Sequence, residues 1–226
     1  MKKWKFGFTL GEILIALGVI GVVASLTLPQ IINGKKASEA HAQFTTAYSA
    51  ISKAINEMEV NNVPVEPANY TAARSFYPEF KKYFKLVIDK QYSTAGKPYK
   101  YLNNNALDEA SMRYMDDGHF VITNGMDIFI ENPETNPNGL LVFVDINGND
   151  KLPNTLGYDL FGFELVKGGE FIPIGGVGTK KSDWATNPKS SCNIEASTPS
   201  GRGTGYTCSL YATSNPDYFK TLFNGH

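Results

Sequence analysis

The sequence predicts an α+β fold in which one long N-terminal helix packs its second half on a small antiparallel β-sheet head. Three observations predict it. An uncharged apolar run near the N-terminus passes directly into apolar residues spaced three and four apart. Beyond position 118 the pattern changes to short aromatic and β-branched runs punctuated by Asn-Gly and Gly-Gly pairs. The chain, at 226 residues and 42% hydrophobic content, is long enough for one domain with its own core and too short for two comfortable ones.

The first element is set by residues 13–28, ILIALGVIGVVASLTL, where only Ser25 and Thr27 are polar and nothing is charged. Counted from Phe8 the segment has 21 residues. As a helix it spans roughly 30 Å, the hydrocarbon thickness of a bilayer. A core helix of a soluble domain would need a polar face, and a cleaved secretory signal would have a shorter apolar core before its cut site. Residues 8–28 are therefore read as a single transmembrane pass. Lys2, Lys3 and Lys5 ahead of it put the N-terminus in the cytoplasm by the positive-inside tendency.

Glu12 is the odd residue of this segment. A carboxylate near the bilayer centre costs on the order of 2–3 kcal/mol, and less towards the edge, so it requires a partner or a route to the interface. Pro29 removes the backbone hydrogen bond to Ser25 and loosens that turn. Gly18, Gly21, Ala24 and Ser25 are small enough to let neighbouring helices approach closely.

Together, the leader MKKWKFG ending in Gly7, the following Phe8, Thr9 and Leu10, and Glu12 four residues after Phe8 resemble the type IV pilin-like family. Pro29 matches a proline common at that place in pilins, whereas Gly11 departs from the bulky apolar residue usual there. The resemblance implies that residues 1–7 are a leader, cut from Phe8 by a prepilin peptidase that then methylates the new amine. It implies that Glu12 pairs with the N-terminal amine of a neighbouring subunit, and that the helix unwinds locally at Pro29 in a filament. Opposite charges in low dielectric attract far more strongly than in water, so such a pair would fix the axial register of subunits more than it adds net stability. A plain anchor with a snorkelling Glu12 is the competing reading.

The implied partners are the peptidase, copies of this chain or related pilins in a helical filament, and an inner-membrane assembly platform. The implied location is the inner (cytoplasmic) membrane, followed by a cell-surface or periplasmic filament. The expected function is a structural subunit of a type IV pilus-like filament. A pseudopilin of a type II secretion system is the alternative within the family, and a membrane-anchored extracytoplasmic binding protein is the alternative of another class.

After Gly34 the helix becomes amphipathic. Ala37, Ala40, Phe44, Ala47, Tyr48, Ile51, Ala54, Ile55 and Met58 form one stripe, with Lys36, Glu39, Gln43, Ser49, Lys53 and Glu57 opposite. The spine helix is thus expected over 8–62, ended by Asn61, Asn62 and Pro64, and 63–226 forms the pilin-like head. Residues 68–89 carry Tyr70, Phe76, Phe80, Phe84 and Val87 at mostly helical spacings, broken near Pro78, and 103–115 reads as a short helix capped by Asn105. Lys81, Lys82 and Lys85 beside Tyr77, Tyr83 and Phe84 combine charge with aromatics as single-strand nucleic-acid sites do. Glu79 among them and a formal net charge of −1 favour a solvated face, so nucleic acid is not an expected partner. Strands are expected at 119–123, Asp127–Glu131, Leu140–Asp145, Leu160–Leu165 and 170–174, forming an antiparallel meander of four or five strands.

Two places in the head invite chemistry. Asp145, Asn147, Asn149 and Asp159 supply hard oxygen ligands of the kind calcium takes, but Asp150 and Leu156 occupy the places where an EF-hand has its glycine and final acid. An Asx-rich turn between strands is the other reading, and pseudopilins, which the chain resembles, often bind calcium in a head loop. Cys192 and Cys208 lie in a Ser/Thr/Gly-rich segment on the oxidising side of the membrane, where a disulfide is expected. The resemblance points the same way, since many pilins staple a C-terminal loop. Free thiols in a metal or redox site are the alternative, without CxxC spacing or a histidine nearby. No phosphate-binding glycine loop, GxSxG or HExxH motif occurs, so no enzyme activity and no required cofactor are expected.

Overall fold

A computed structural model describes residues 7–93, 96–108, 112–132, 139–187, 191–193 and 204–224. Leader residues 1–6, the 109–111 part of the segment read as a short helix, and 194–203 of the cysteine loop lie outside the described residues.

Helix α1 (Leu10–Val60) is one unbroken element of 51 residues. At 1.5 Å per residue that is roughly 75 Å. Thr9 caps its start: Thr9 Oγ1 accepts from Glu12 N–H at 3.2 Å, and Glu12 Oε2 accepts from Thr9 N–H at 2.8 Å. These two bonds form a capping box that satisfies orphan donors of the first turn. The helix continues through Pro29 without interruption. It stops where Asn61 N–H turns back to Glu57 O and Asn62 takes a left-handed φ of 57°. The apolar first part is bare: Leu14, Ile15, Leu17, Val19, Ile20, Val22, Leu26 and Ile31 are all more than half exposed. Burial begins at Ala37 and follows the predicted stripe to Met58.

The sheet has six strands, β1 (Leu86–Gln91), β2 (Gly118–Ile122), β3 (Asp127–Glu131), β4 (Leu140–Asp145), β5 (Leu160–Leu165) and β6 (Phe171–Pro173). Each pairs antiparallel with its neighbour in chain order, giving a simple meander. Both faces of the central strands are buried. In β4, Leu140, Val142 and Val144 join the core with α1, whereas Leu141 and Phe143 enter a second core with Tyr99, Tyr101, Phe129, Ile174 and Tyr206. This period-two division explains why LLVFVD is apolar at nearly every position. Phe44 on α1 meets Phe161 edge-on, with ring centroids 4.8 Å apart, and ties helix to sheet.

Two sequence-based expectations are corrected. Residues 68–89 do not form a helix interrupted at Pro78. They give a single turn, α2 (Tyr77–Phe80), a 3₁₀ turn at Lys81–Tyr83 and then the edge strand β1, so the sheet has six strands instead of four or five. In 103–115, Asn105 caps no helix: its N–H bonds the Asn103 side chain, and Lys100 bridges to Ala106. Among the described residues, Met112 is helical, its N–H donating to Asp108 O at 3.0 Å, and Arg113–Met115 continues as a 3₁₀ turn.

The C-terminal helices α3 (Cys208–Ser214) and α4 (Tyr218–Asn224) return to the spine, where Phe219 packs on His41 and Phe44. Cys192 and Cys208 are joined by a disulfide with Cα atoms 4.7 Å apart, which holds the incoming segment against this corner.

Candidate functional site

The largest uncovered apolar surface is the first half of α1, which includes a window of mean hydropathy 2.2 with none of its residues buried. This helix is long and apolar enough to cross a membrane. Its composition dictates the exposure. No residue from Ile13 to Leu28 can make an ion pair, and the head begins only at the Ala37 stripe. Glu12 is the lone acid of this half, and its Oε2 also accepts from Thr9 Oγ1 at 2.8 Å. The polar side chains downstream are turned inward along the backbone: Ser25 Oγ donates to Val22 O and Thr27 Oγ1 to Val23 O. A Cβ added at Gly11, Gly18 or Gly21 would meet nothing within 4 Å. Gly11, seven residues before Gly18, shares the face of Gly18 and Ser25, so the residue that departs from the family pattern extends the predicted small-residue surface by two turns.

The second candidate lies in the turn after β4. Three of its four predicted residues converge and one does not. Asp145 Oδ1 accepts from the N–H groups of Asn147 and Gly148, and Oδ2 accepts from Tyr99 Oη at 2.8 Å. Asp159 accepts from Thr155 N–H, Asn154 N–H and, at 3.4 Å, the Asn147 side chain. Burial, then the facing Asp159, pushes the Asp145 carboxyl up, and burial pushes Asp159 up despite its backbone donors. Asn147 Oδ1 is buried with no hydrogen-bond partner among the described residues. Asn149 is engaged elsewhere: its amide is clipped to Lys97, accepting from Lys97 N–H at 2.6 Å and donating to Lys97 O at 2.8 Å. That clip comes from a segment some fifty residues upstream, beyond the reach of a turn motif. A cavity of about 620 Å³ opens beside Asn147 and Asp159, between the turn and the first buried residues of α1 around Lys36 and Ala40.

Two of the three clustered lysines are paired by their own neighbours, Lys81 with Asp89 and Lys82 with Glu79, both at 2.7 Å. Of the aromatics beside it, Tyr77 is buried and Phe84 packs on Phe80 and Phe120. One acidic constellation escaped sequence reasoning. Asp116 and Asp117 read as a turn before Gly118, yet the β2–β3 ladder sets both beside Glu131.

Compared with known protein families, curated proteins and solved structures, the chain matches none of them.

Proposed function

We propose that this chain is a structural subunit of a type IV pilus-like filament with a pilin-like head, processed between Gly7 and Phe8 and assembled through α1. The supporting observation is the division of one continuous helix: the half after Ala37 is buried in the head, and the half before it is apolar and bare. Such a surface is stable only in lipid or against copies of itself. In this reading lipid covers it before assembly and the helices of neighbouring subunits cover it afterwards. Glu12, whose present partners are the neutral donors of Thr9, exchanges them for the methylated amine of Phe8 on a neighbour. The chain sits in the inner membrane with its N-terminus in the cytoplasm until it is drawn into the filament.

A second reading, a pseudopilin of a type II secretion system, draws on the Asp145 turn. There the orphaned Asn147 Oδ1 beside two buried carboxylates suits a calcium ion, although Asn149 is unavailable and most of the carboxylate lone pairs are already used.

The test is intact-mass analysis of protein extracted from membranes and from sheared filaments. Loss of residues 1–7 with one added methyl group, and recovery of the chain in the sheared fraction, is the expected result. A chain of unprocessed mass that never leaves the membrane fraction points instead to an anchored binding protein and overturns the proposal.

A further inference from the structure

At the end of β3 opposite the Asp145 turn, three carboxyl groups meet. Asp116 and Asp117 close the turn that leads into β2, and Glu131 ends β3. Asp117 N–H donates to Ile130 O at 3.0 Å, which extends the ladder and brings the acids together. One oxygen from each residue can be chosen so that all three lie within 4.8 Å of one another.

Their partners are unequal. Asp117 is satisfied on both oxygens, by Arg74 Nε at 3.3 Å and by Asn132 N–H at 2.9 Å. Glu131 is only 9% exposed, and its Oε2 is fully buried with no hydrogen-bond partner among the described residues. Leaving a buried acceptor unsatisfied is costly, and more so when it is charged, so natural folds rarely tolerate it without a ligand or a proton. The nearby cations are divided among several acids. Arg74 engages Asp117, Arg113 acts on Asp116, and Lys181 acts on Glu164 and Asp183 as well as Glu131.

We propose that Asp116, Asp117 and Glu131 form a binding site for a hard divalent cation, with Glu131 Oε2, which has no hydrogen-bond partner among the described residues, as a ligand. Oxygen-only donors select calcium, magnesium or manganese over softer metals. Calcium accepts irregular sets of oxygen ligands at about 2.3–2.6 Å, whereas magnesium demands a near-ideal octahedron and gives up its waters reluctantly, so calcium is the expected occupant. Without the ion, burial and the neighbouring Asp117 and Asp116 push Glu131 up to about 8, and burial pushes Asp116 up, so a proton on Glu131 competes with the cation. The site shares no residue with the Asp145 turn and is independent of whether the chain assembles. A bound ion would tie the entry of β2 to the exit of β3.

The experiment titrates calcium chloride, and separately magnesium chloride, into detergent-extracted full-length chain freed of metal by chelator. Calorimetry and thermal melting are the readouts. One calcium ion bound with a Kd below about 1 mM is expected, with a rise in melting temperature and weaker binding of magnesium. Glu131→Gln and Asp116→Asn should each weaken binding by at least about tenfold, whereas Asp217→Asn, at an exposed acid paired with Lys220, should leave it unchanged. Circular dichroism checks that each variant is folded; should Glu131→Gln not fold, Asp116→Asn at its partly exposed position decides. No binding of calcium, magnesium or manganese by the parent chain overturns the proposal. So does binding that survives both acidic substitutions, or that only Asp145→Asn removes.

Discussion

Thr9 and Glu12 close on each other at the start of α1, with Glu12 Oε2 2.8 Å from both Thr9 N and Thr9 Oγ1. The carboxylate that sets this segment apart from an ordinary anchor thus caps its own helix in the single chain. Two roles can be separated by substitution. Glu12→Gln keeps an acceptor for Thr9 but removes the charge; Glu12→Ala removes both and forfeits about 1 kcal/mol of capping. If charge pairing between subunits sets register, both variants will be processed normally, and both will be depleted from sheared filaments by tenfold or more. Filament recovery that is normal for Gln and reduced for Ala would assign Glu12 to capping alone.

Gly162 faces Phe143 across the β4–β5 ladder, and a Cβ at Gly162 would come within 2.5 Å of the Phe143 ring and 2.6 Å of Ile174. Its φ is unexceptional, so space and not backbone conformation requires the glycine. Overpacking a filled core costs about 1–3 kcal/mol. Gly162→Ala should lower stability by that amount in urea titrations of the extracted chain. The double variant Gly162→Ala with Phe143→Leu should recover part of the loss. An unchanged midpoint for the single variant would show that the second core yields at no cost.

The spine and the central strands were legible because their signals are local. A stripe spaced three and four apart marks the buried face of α1, and the LLVFVD run marks a strand covered on both sides. β1 was not legible. Phe80, Phe84 and Val87 fall at helical spacing, and KLVIDKQ lies on the sheet edge with Val87 and Ile88 half exposed or more and two irregularities in its pairing. Its state is decided by β2, more than thirty residues away. Distance in sequence also hid the acids at 116, 117 and 131, and it withdrew Asn149 from the Asp145 turn through Lys97. Gly11 was legible only as a departure from a pattern. Its meaning depends on the face it shares with Gly18 and Ser25.

The Cys192–Cys208 disulfide closes a loop of sequence separation 16 and fastens α3, with Cys208 fully buried beside Gly157. In the chain-entropy description a loop of this size is worth about 3 kcal/mol. Reduction, or the pair Cys192→Ser with Cys208→Ser, should lower the unfolding free energy by about that much. The change should also release α4 from α1, read as faster amide hydrogen exchange at Phe219 and Leu222. Equal exchange in oxidised and reduced chains would show that the Phe219 contacts with His41 and Phe44 hold the corner unaided.

Asp127 gives the head an acid-side dependence whose sign is fixed by its partners. It is buried at the start of β3, its Oδ1 lies 2.5 Å from His119 Nε2 and 2.8 Å from Lys90 Nζ, and its Oδ2 accepts from Asn149 N–H at 3.1 Å. Burial alone would raise this carboxyl, but the bonds from His119, Lys90 and Asn149 outweigh it and hold Asp127 below its ordinary value. The unfolded chain therefore binds the proton more readily than the native one. The stabilisation is complete above the unfolded value near pH 4 and is lost as pH falls through the folded value. Asp127→Asn leaves Lys90 and His119 without their carboxylate and should cost about 2–4 kcal/mol at pH 7, where removing one partner of a buried pair strands the other. As pH falls through the lowered folded value the parent carboxyl is itself protonated, and the difference between the two proteins should shrink. Groups that shift the other way, Glu131 and Asp145 among them, are common to both proteins and cancel in that difference. Chemical denaturation of parent and variant between pH 2.5 and pH 8 (a range chosen to bracket roughly the whole carboxylate titration) reads it directly. A gap that stays constant on acidification would mean that Asp127 acts through shape and hydrogen bonding, with its charge contributing nothing to the folded head.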